Sequence, residues 1–363
     1  MNLSFRTSRD GEWRALICKG MSMGNVNFKA AAAHIAPVYL DPMASASKAS
    51  SVIAEAARNG ASLVVFSESF LPGFPVWAAL YPPIQSHEHF KRFLNGSVYV
   101  DGPEIERVRK AASDHRVFVS IGFSERNPAS VGGLWNSNVL ISDTGEILIH
   151  HRKLVATFFE KLVWDPGDGA GLVVANTRIG RIGGLICGEN TNPLARYSLM
   201  TQSEQVHISS YPPIWPTRVP TESDNYDNRA ANRIRASAHC FEAKCFGIVV
   251  AGRLDEGARK SIALDDPAIE AIIDASPRAS SFFLGPTGAP IGDEMIDEGI
   301  GYAYIDLDEC VEPKRFHDVV AGYNRFDIFD VAVNRTRRKP INFLEGSTEE
   351  AQRTLPDAPT PPE

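Results

Sequence analysis

Apolar and polar positions along the chain switch between a helical period and short continuous runs. Positions 44–58 carry apolar residues at helical spacing. Asp41-Pro42 offers a cap and a first-turn proline ahead of them, and Asn59-Gly60 a stop behind. Positions 62–66 form a short apolar, β-branched run suited to a buried strand. The same signals predict strands at 13–18, 117–123, 138–142, 146–150, 172–177, 182–187, 205–209, 245–251, 280–284 and 301–307. They predict helices at 103–115, from Asn192-Pro193 to about Thr201, and at 225–244. Asp143-Thr144-Gly145 joins two of the strands as a hairpin signal, and Gly285-Pro286-Thr287-Gly288 marks another turn. Strands alternate with helices and hairpins are mixed in, which predicts an α/β fold with helices covering the sheets.

Composition adds limits. A chain of 363 residues calls for one large α/β domain or two fused halves. A net charge of −7 argues against nucleic acid, which needs clustered Lys and Arg. No apolar run approaches the roughly 20 residues of a membrane span, and Met1 to Asp10 lack the apolar stretch of a signal peptide. Five cysteines in a chain this long do not make a disulfide framework, so a cytoplasmic setting with free thiols is expected. From Glu345 onward Glu, Gln, Pro and Thr dominate. The expected organisation is an extension at 1–12, one domain at 13–335 and a disordered tail at 336–363.

Three segments end a predicted strand with a reactive side chain, the place where α/β folds build sites. In Val64-Val65-Phe66-Ser67-Glu68 the carboxylate is either a loop cap or a functional group. In His150-His151-Arg152-Lys153-Leu154 the basic cluster is either a solvated face or a source of buried charge. In Ile186-Cys187-Gly188-Glu189-Asn190 the cysteine stands before a turn and a helix start. That is the setting of a nucleophile elbow, although a free cysteine is often only a buried hydrophobe.

Taken together, in order and context, these segments resemble the nitrilase superfamily and its nitrilase branch. The resemblance runs through Glu68 with Leu71-Pro72-Gly73-Phe74-Pro75, and through Arg152-Lys153-Leu154 with Thr157, Glu160, Trp164 and Gly167-Asp168-Gly169. It continues in Ile186-Cys187-Gly188-Glu189-Asn190, Pro193-Leu194-Ala195-Arg196, Gln205-Val206-His207-Ile208, Ser281 to Pro286 and Tyr323-Asn324-Arg325-Phe326-Asp327. It implies a four-layer αββα sandwich, a homodimer or larger spiral assembly, and neither cofactor nor metal. It also implies hydrolysis of a nitrile to a carboxylic acid and ammonia. The same residues serve an amide or carbamoyl hydrolase equally well, and a non-catalytic assembly protein is the third alternative.

The implied roles are Cys187 as nucleophile, Glu68 as general base, Lys153 as the stabilising cation, and Glu160 as a second carboxylate positioning substrate or water. Glu189, nearer in sequence to the nucleophile, reads as a structural partner of the elbow at least as readily as a catalytic group. Trp77, Gly188, Tyr211 and Trp215 are expected near the substrate pocket. The chain departs from the family pattern at Gly188, Ala156, Gly322 and Phe326. Glycine at 188, where an aromatic is usual, implies either a roomier pocket favouring bulkier substrates, or a position facing the core where a neighbour such as Phe158 or Trp215 fills the gap. His87-Glu88-His89 makes a weak metal cluster, and Cys240 and Cys245 read as core.

Overall fold

A computed structural model describes residues 26–219 and 225–339; the strand expected at 13–18 and the tail beyond 339 lie outside them. Two six-stranded mixed sheets make the frame. The first has the order β12-β1-β2-β3-β4-β5, with β1 Asn27–His34, β2 Ala61–Val65, β3 Phe118–Arg126, β4 Leu134–Ile141, β5 Ile147–Arg152 and β12 Gly299–Asp306. The second has the order β11-β10-β9-β8-β7-β6, with β6 Ala175–Thr177, β7 Gly180–Ile186, β8 Val206–Tyr211, β9 Phe246–Ala251, β10 Ser281–Leu284 and β11 Pro290–Met295. β1, β2 and β3 pair in parallel, as do β7, β8 and β9. These two parallel cores carry the strand ends that matter for the site.

Side-chain alternation explains the layering. Ala30, Ala32, Leu63, Val65 and Phe118 from the first sheet meet Ile182, Val206, Ile208, Phe246, Ile248 and Val250 from the second. The opposite faces of the first sheet, Ala31, Ala33, Val64, Val119 and Ile121, meet the helices Pro42–Arg58 and Pro103–His115 through Ala46, Ala49, Ile53, Ile105 and Val108. On the other side Ile186, Tyr211, Val249 and Phe282 meet the helix Asn228–Ala243 through Ala236 and Cys240. The result is the expected αββα order of layers. Cys240 and Cys245 are fully buried in it, as expected of core residues.

Local signals act as read. Asp41 Oδ1 accepts from Ala44 N at 2.8 Å and Asn192 Oδ1 from Leu194 N at 3.0 Å, satisfying free helical N–H groups. Gly145, at φ +87°, closes the β4–β5 hairpin. Other elements differ from expectation. β6 is three residues long, because Leu172 N and Val173 N donate back to Gly169 O and Gly171 O and Val174 N to the Gln202 side chain. The long helix starts at Asn228, where Asp227 Oδ1 caps Ala230 N at 2.9 Å. β1 and the helices His87–Gly96, Glu256–Ala263 and Pro267–Ala275 were not anticipated. β1 is built on four consecutive alanines, a composition that favours helices. It is a strand because only small side chains fit between two close-packed layers on both faces.

That constraint is testable. Ala32 is fully buried between the sheets. Ala32→Leu should destabilise the fold by about 1–3 kcal/mol through overpacking, read as a fall in denaturant midpoint. An unchanged midpoint would mean slack between the sheets that the packing does not show.

Candidate active site

Each of the three segments ends at one place between the two sheets. Glu68 follows β2, Lys153 follows β5 and Cys187 follows β7. Glu160 comes from the 3-10 turn Phe158–Leu162, seven residues beyond Lys153. All four side chains are buried. Lys153 Nζ donates to Glu68 Oε1 at 2.9 Å and to Glu160 Oε1 and Oε2 at 2.9 and 2.7 Å. The Cys187 sulfur and one carboxylate oxygen from each of Glu68 and Glu160 lie within 4.8 Å of one another. An ammonium already sits between those two carboxyl groups, so this cluster does not need a metal to balance it.

The electrostatics follow from sharing one cation. Burial pushes the Glu68 carboxyl up, and the charge of Glu160 adds to the push. Lys153 and the Asn136 amide, which donates to Oε1 at 2.6 Å, offset only part, leaving Glu68 at about 7. Burial opposes the Lys153 ammonium, but the charges of Cys187, Glu160 and Glu68 outweigh it and hold its pKa well above the usual range. Burial, then the Glu68 charge, raise the Cys187 thiol. The resting site is therefore a thiol beside a carboxylate able to accept its proton near neutral pH. Glu68 Oε2 is buried without a hydrogen-bond partner, free for that transfer.

The turn carrying the nucleophile is held from two sides. Cys187 has φ +51°, a conformation costly for a residue with a Cβ. On one side Glu189 accepts from Ile186 N at 2.9 Å, Leu154 N at 2.6 Å and the His151 ring at 2.9 Å. It thereby locks the cysteine turn to the residues flanking Lys153, the structural one of its two expected roles. Burial opposes its charge, but His151 and these donors keep its pKa low. On the other side Asn190 Nδ2 donates to Cys187 O at 3.1 Å and Leu185 O at 3.2 Å. Its Oδ1 accepts from His207 Nε2 at 2.8 Å and Ser209 Oγ at 3.1 Å. His207 Nδ1 lies 2.8 Å from Glu204, which also accepts from His239 Nε2 at 2.7 Å. Burial works against the Glu204 charge, yet the two histidines hold its pKa at about 2.

This second support escaped the sequence reading, as did Asn136. Its one visible signal was the acidic and imidazole pair Glu204 and His207 flanking an apolar strand. Among the expected pocket residues, Tyr211 shares a core cluster with Cys187. Trp77 and Trp215 belong to a separate aromatic cluster with Phe74, Phe159 and Trp164, next to Glu160. The Trp215 and Phe159 rings are tilted with centroids 4.4 Å apart, and Trp77 stacks 5.8 Å from the His89 ring. His87, Glu88 and His89 join no group of ligand atoms at metal-binding distance among the described residues. Gly322 is exposed with nothing within 4 Å of a Cβ built there.

Gly188 faces a neighbouring side chain. A Cβ there meets Thr157 Oγ1 at 2.7 Å, so the space is occupied by the segment carrying Glu160. The neighbour beside Gly188 is thus Thr157, in place of the Phe158 or Trp215 that the sequence suggested as examples.

A family model described as carbon-nitrogen hydrolase matches residues 29–315, and the chain belongs to that family. It is 32% identical over 330 residues to a nitrilase of Paraburkholderia phymatum, covering 89% of this chain and 91% of that one. It is 36% identical over 323 residues to a cyanide hydratase of Botryotinia fuckeliana, covering 86% and 84%. Among solved structures the C. elegans NitFhit protein shares the fold, with TM-score 0.63 and 17% identity over 88% of this chain and 70% of that one.

Gly188→Trp should displace Thr157 and disturb Glu160, lowering kcat/KM by a similar factor for small and large substrates, with reduced thermal stability. A loss graded by substrate size would instead assign this space to the substrate.

Proposed function

We propose that the chain hydrolyses a nitrile to a carboxylic acid and ammonia through a covalent intermediate on Cys187. The observation that carries this reading is the buried thiol beside Glu68, with one lysine charge shared by two carboxyl groups. Relatives named nitrilase, 32% identical over nine-tenths of their length, support the choice of nitrile.

Glu68 takes the Sγ proton as sulfur attacks the nitrile carbon. One C≡N π pair moves to nitrogen, which takes that proton from Glu68 and gives a thioimidate. Lys153 stabilises the charge growing on that nitrogen. A water deprotonated by Glu68 adds to the carbon. Glu68 returns that proton to nitrogen, the proton of the added hydroxyl follows as the C=O forms, the C–N bond breaks with release of ammonia, and a thioester remains. A second water cleaves the C–S bond, releasing the acid and restoring the thiol. The balance is one nitrile and two waters in, one acid and one ammonia out. Glu160 keeps the Lys153 ammonium pointed at this chemistry.

At least a homodimer, and a cytoplasmic setting, belong to the same proposal. Phe316, Tyr323, Phe326, Ile328 and Phe329 are exposed on the segment after the last strand, an apolar surface that a second copy would cover. The described cysteines are free thiols, as a reducing compartment allows. No helix among the described residues is long and apolar enough to cross a membrane.

Cys187→Ala should fold normally and lose at least ~10³-fold in turnover, as for other covalent nucleophiles. Mass spectrometry of the wild type with a slow nitrile should show one adduct, on Cys187. Ammonia release from amides alone, with nitriles inert, would refute the nitrile assignment; an adduct on Cys240, Cys245 or Cys310 would refute the nucleophile.

A further inference from the structure

The helix Asn228–Ala243 packs on the nucleophile turn and on β8, and it carries buried donors with nothing to donate to. Asn228 and Asn232 are 2% and 1% exposed, one helical turn apart, and each has an unpartnered Nδ2. Arg235 Nη2 donates to Asn232 Oδ1 at 2.8 Å, which fixes the amide with its Nδ2 free. Arg235 Nε is itself buried and unpartnered. The Tyr211 hydroxyl, fully buried, lies near Ser209 and Arg235 without a well-aligned bond to either. The guanidinium carbon is 5.5 Å from the Tyr211 ring centre. Buried donors left unmade are expensive, so such a group implies an acceptor that arrives from outside.

The charge points the same way. The other arginines of this helix, Arg229 and Arg233, both pair with Glu294. Arg235 has no carboxylate within ion-pair distance among the described residues; its polar neighbours are Tyr211, Cys187 and Tyr226, the last with its hydroxyl in hydrogen-bond reach. Its position relative to the nucleophile follows from contacts. Tyr211 and Ala236 share one cluster with Cys187. Ser209, beside the Tyr211 hydroxyl, donates to the Asn190 amide that holds the Cys187 carbonyl. A half-buried guanidinium without a counter-ion among the described residues, flanked by spare N–H and O–H donors, is a receptor for a planar anion.

We propose that Arg235, with Asn232 and Tyr211, forms an anion subsite beside Cys187, and that the preferred substrates carry a carboxylate a few carbons from the reacting group. This inference rests on the nitrile reading for the reacting group, but the carboxylate preference stands apart from it. The subsite holds the far end of the substrate and takes no part in bond making.

The test compares kcat/KM for 3-cyanopropanoate, 4-cyanobutanoate and 5-cyanopentanoate with that for their methyl esters, in wild type, Arg235→Met and Arg235→Lys, with folding checked by circular dichroism. The wild type should favour at least one acid by about 10- to 100-fold, the worth of one charge-assisted hydrogen bond. Arg235→Met should bring the acid-to-ester ratio close to one, and Arg235→Lys should restore part of it. A wild-type ratio near one for all three pairs overturns the subsite. So does an Arg235→Met loss equal for acids and esters, which would make the guanidinium a general support of the thiolate. If all nitriles are inert and the corresponding ω-amides react, the nitrile reading fails and the same ratio on the amides decides the subsite. If nothing turns over, calorimetry with glutarate on Cys187→Ala decides it. Binding lost in the Cys187→Ala, Arg235→Met double variant supports the subsite, and no binding to Cys187→Ala overturns it.

Discussion

One buried ammonium governs this structure. Removing the Lys153 charge from water costs several kcal/mol unless carboxylates replace the hydration. Glu68 and Glu160 supply that replacement, and they must come from separate parts of the chain to do so. A single positive charge cannot fully serve two buried carboxyl groups. Glu160 takes two of its three hydrogen bonds, and Glu68, with the weaker share, is left near neutrality as an acceptor. The same arithmetic keeps the adjacent Cys187 a thiol until a substrate draws out its electrons.

The fold is arranged to deliver these groups to one point. Two parallel strand cores face each other, so the ends of β2 and β7 approach across the inter-sheet layer, and the β4–β5 hairpin brings Lys153 to the same level. Asn136 on β4 ties that level together, accepting from Lys153 N at 2.8 Å and donating to Glu68. The strained cysteine turn is then supported by Glu189 toward the lysine and by Asn190 toward β8. Both supports end in buried histidines, so the polar network closes without reaching solvent. Hydrogen bonding on this scale is what allows polar groups in a layer otherwise made of alanine, valine and isoleucine.

Much of this was legible in the residues. Asp41-Pro42 and Asn192-Pro193 marked helix starts because capping is local. Glu68, Lys153 and Cys187 stood out because each ends an apolar run. What stayed hidden was set by long-range packing. Four alanines do not announce β1, whose identity depends on layers contributed by distant parts of the chain. The helices within 256–275 carry caps at Asp255 and Asp266, but no element was predicted between the strands at 245–251 and 280–284. Gly188 suggested open space or a filled gap, and only the fold shows Thr157 there. Asn190 and His207 were visible as letters of a motif, yet their support of the cysteine carbonyl depends on β8 lying beside β7. Arg235 gave no sign at all, since an arginine on a helix reads as solvated until its donors are counted.

The central claim is that Glu68 is held near neutrality by burial and by Glu160. Infrared titration of the free enzyme, taken as the difference between wild type and Glu68→Gln, isolates this one carboxyl. It should ionise with a midpoint near pH 7. In Glu160→Gln, compared with the Glu68→Gln, Glu160→Gln double variant, the midpoint should fall, because the like charge that raises it is gone. A Glu68 that ionises with ordinary carboxylates below about pH 5, or a midpoint indifferent to Glu160, would contradict the account.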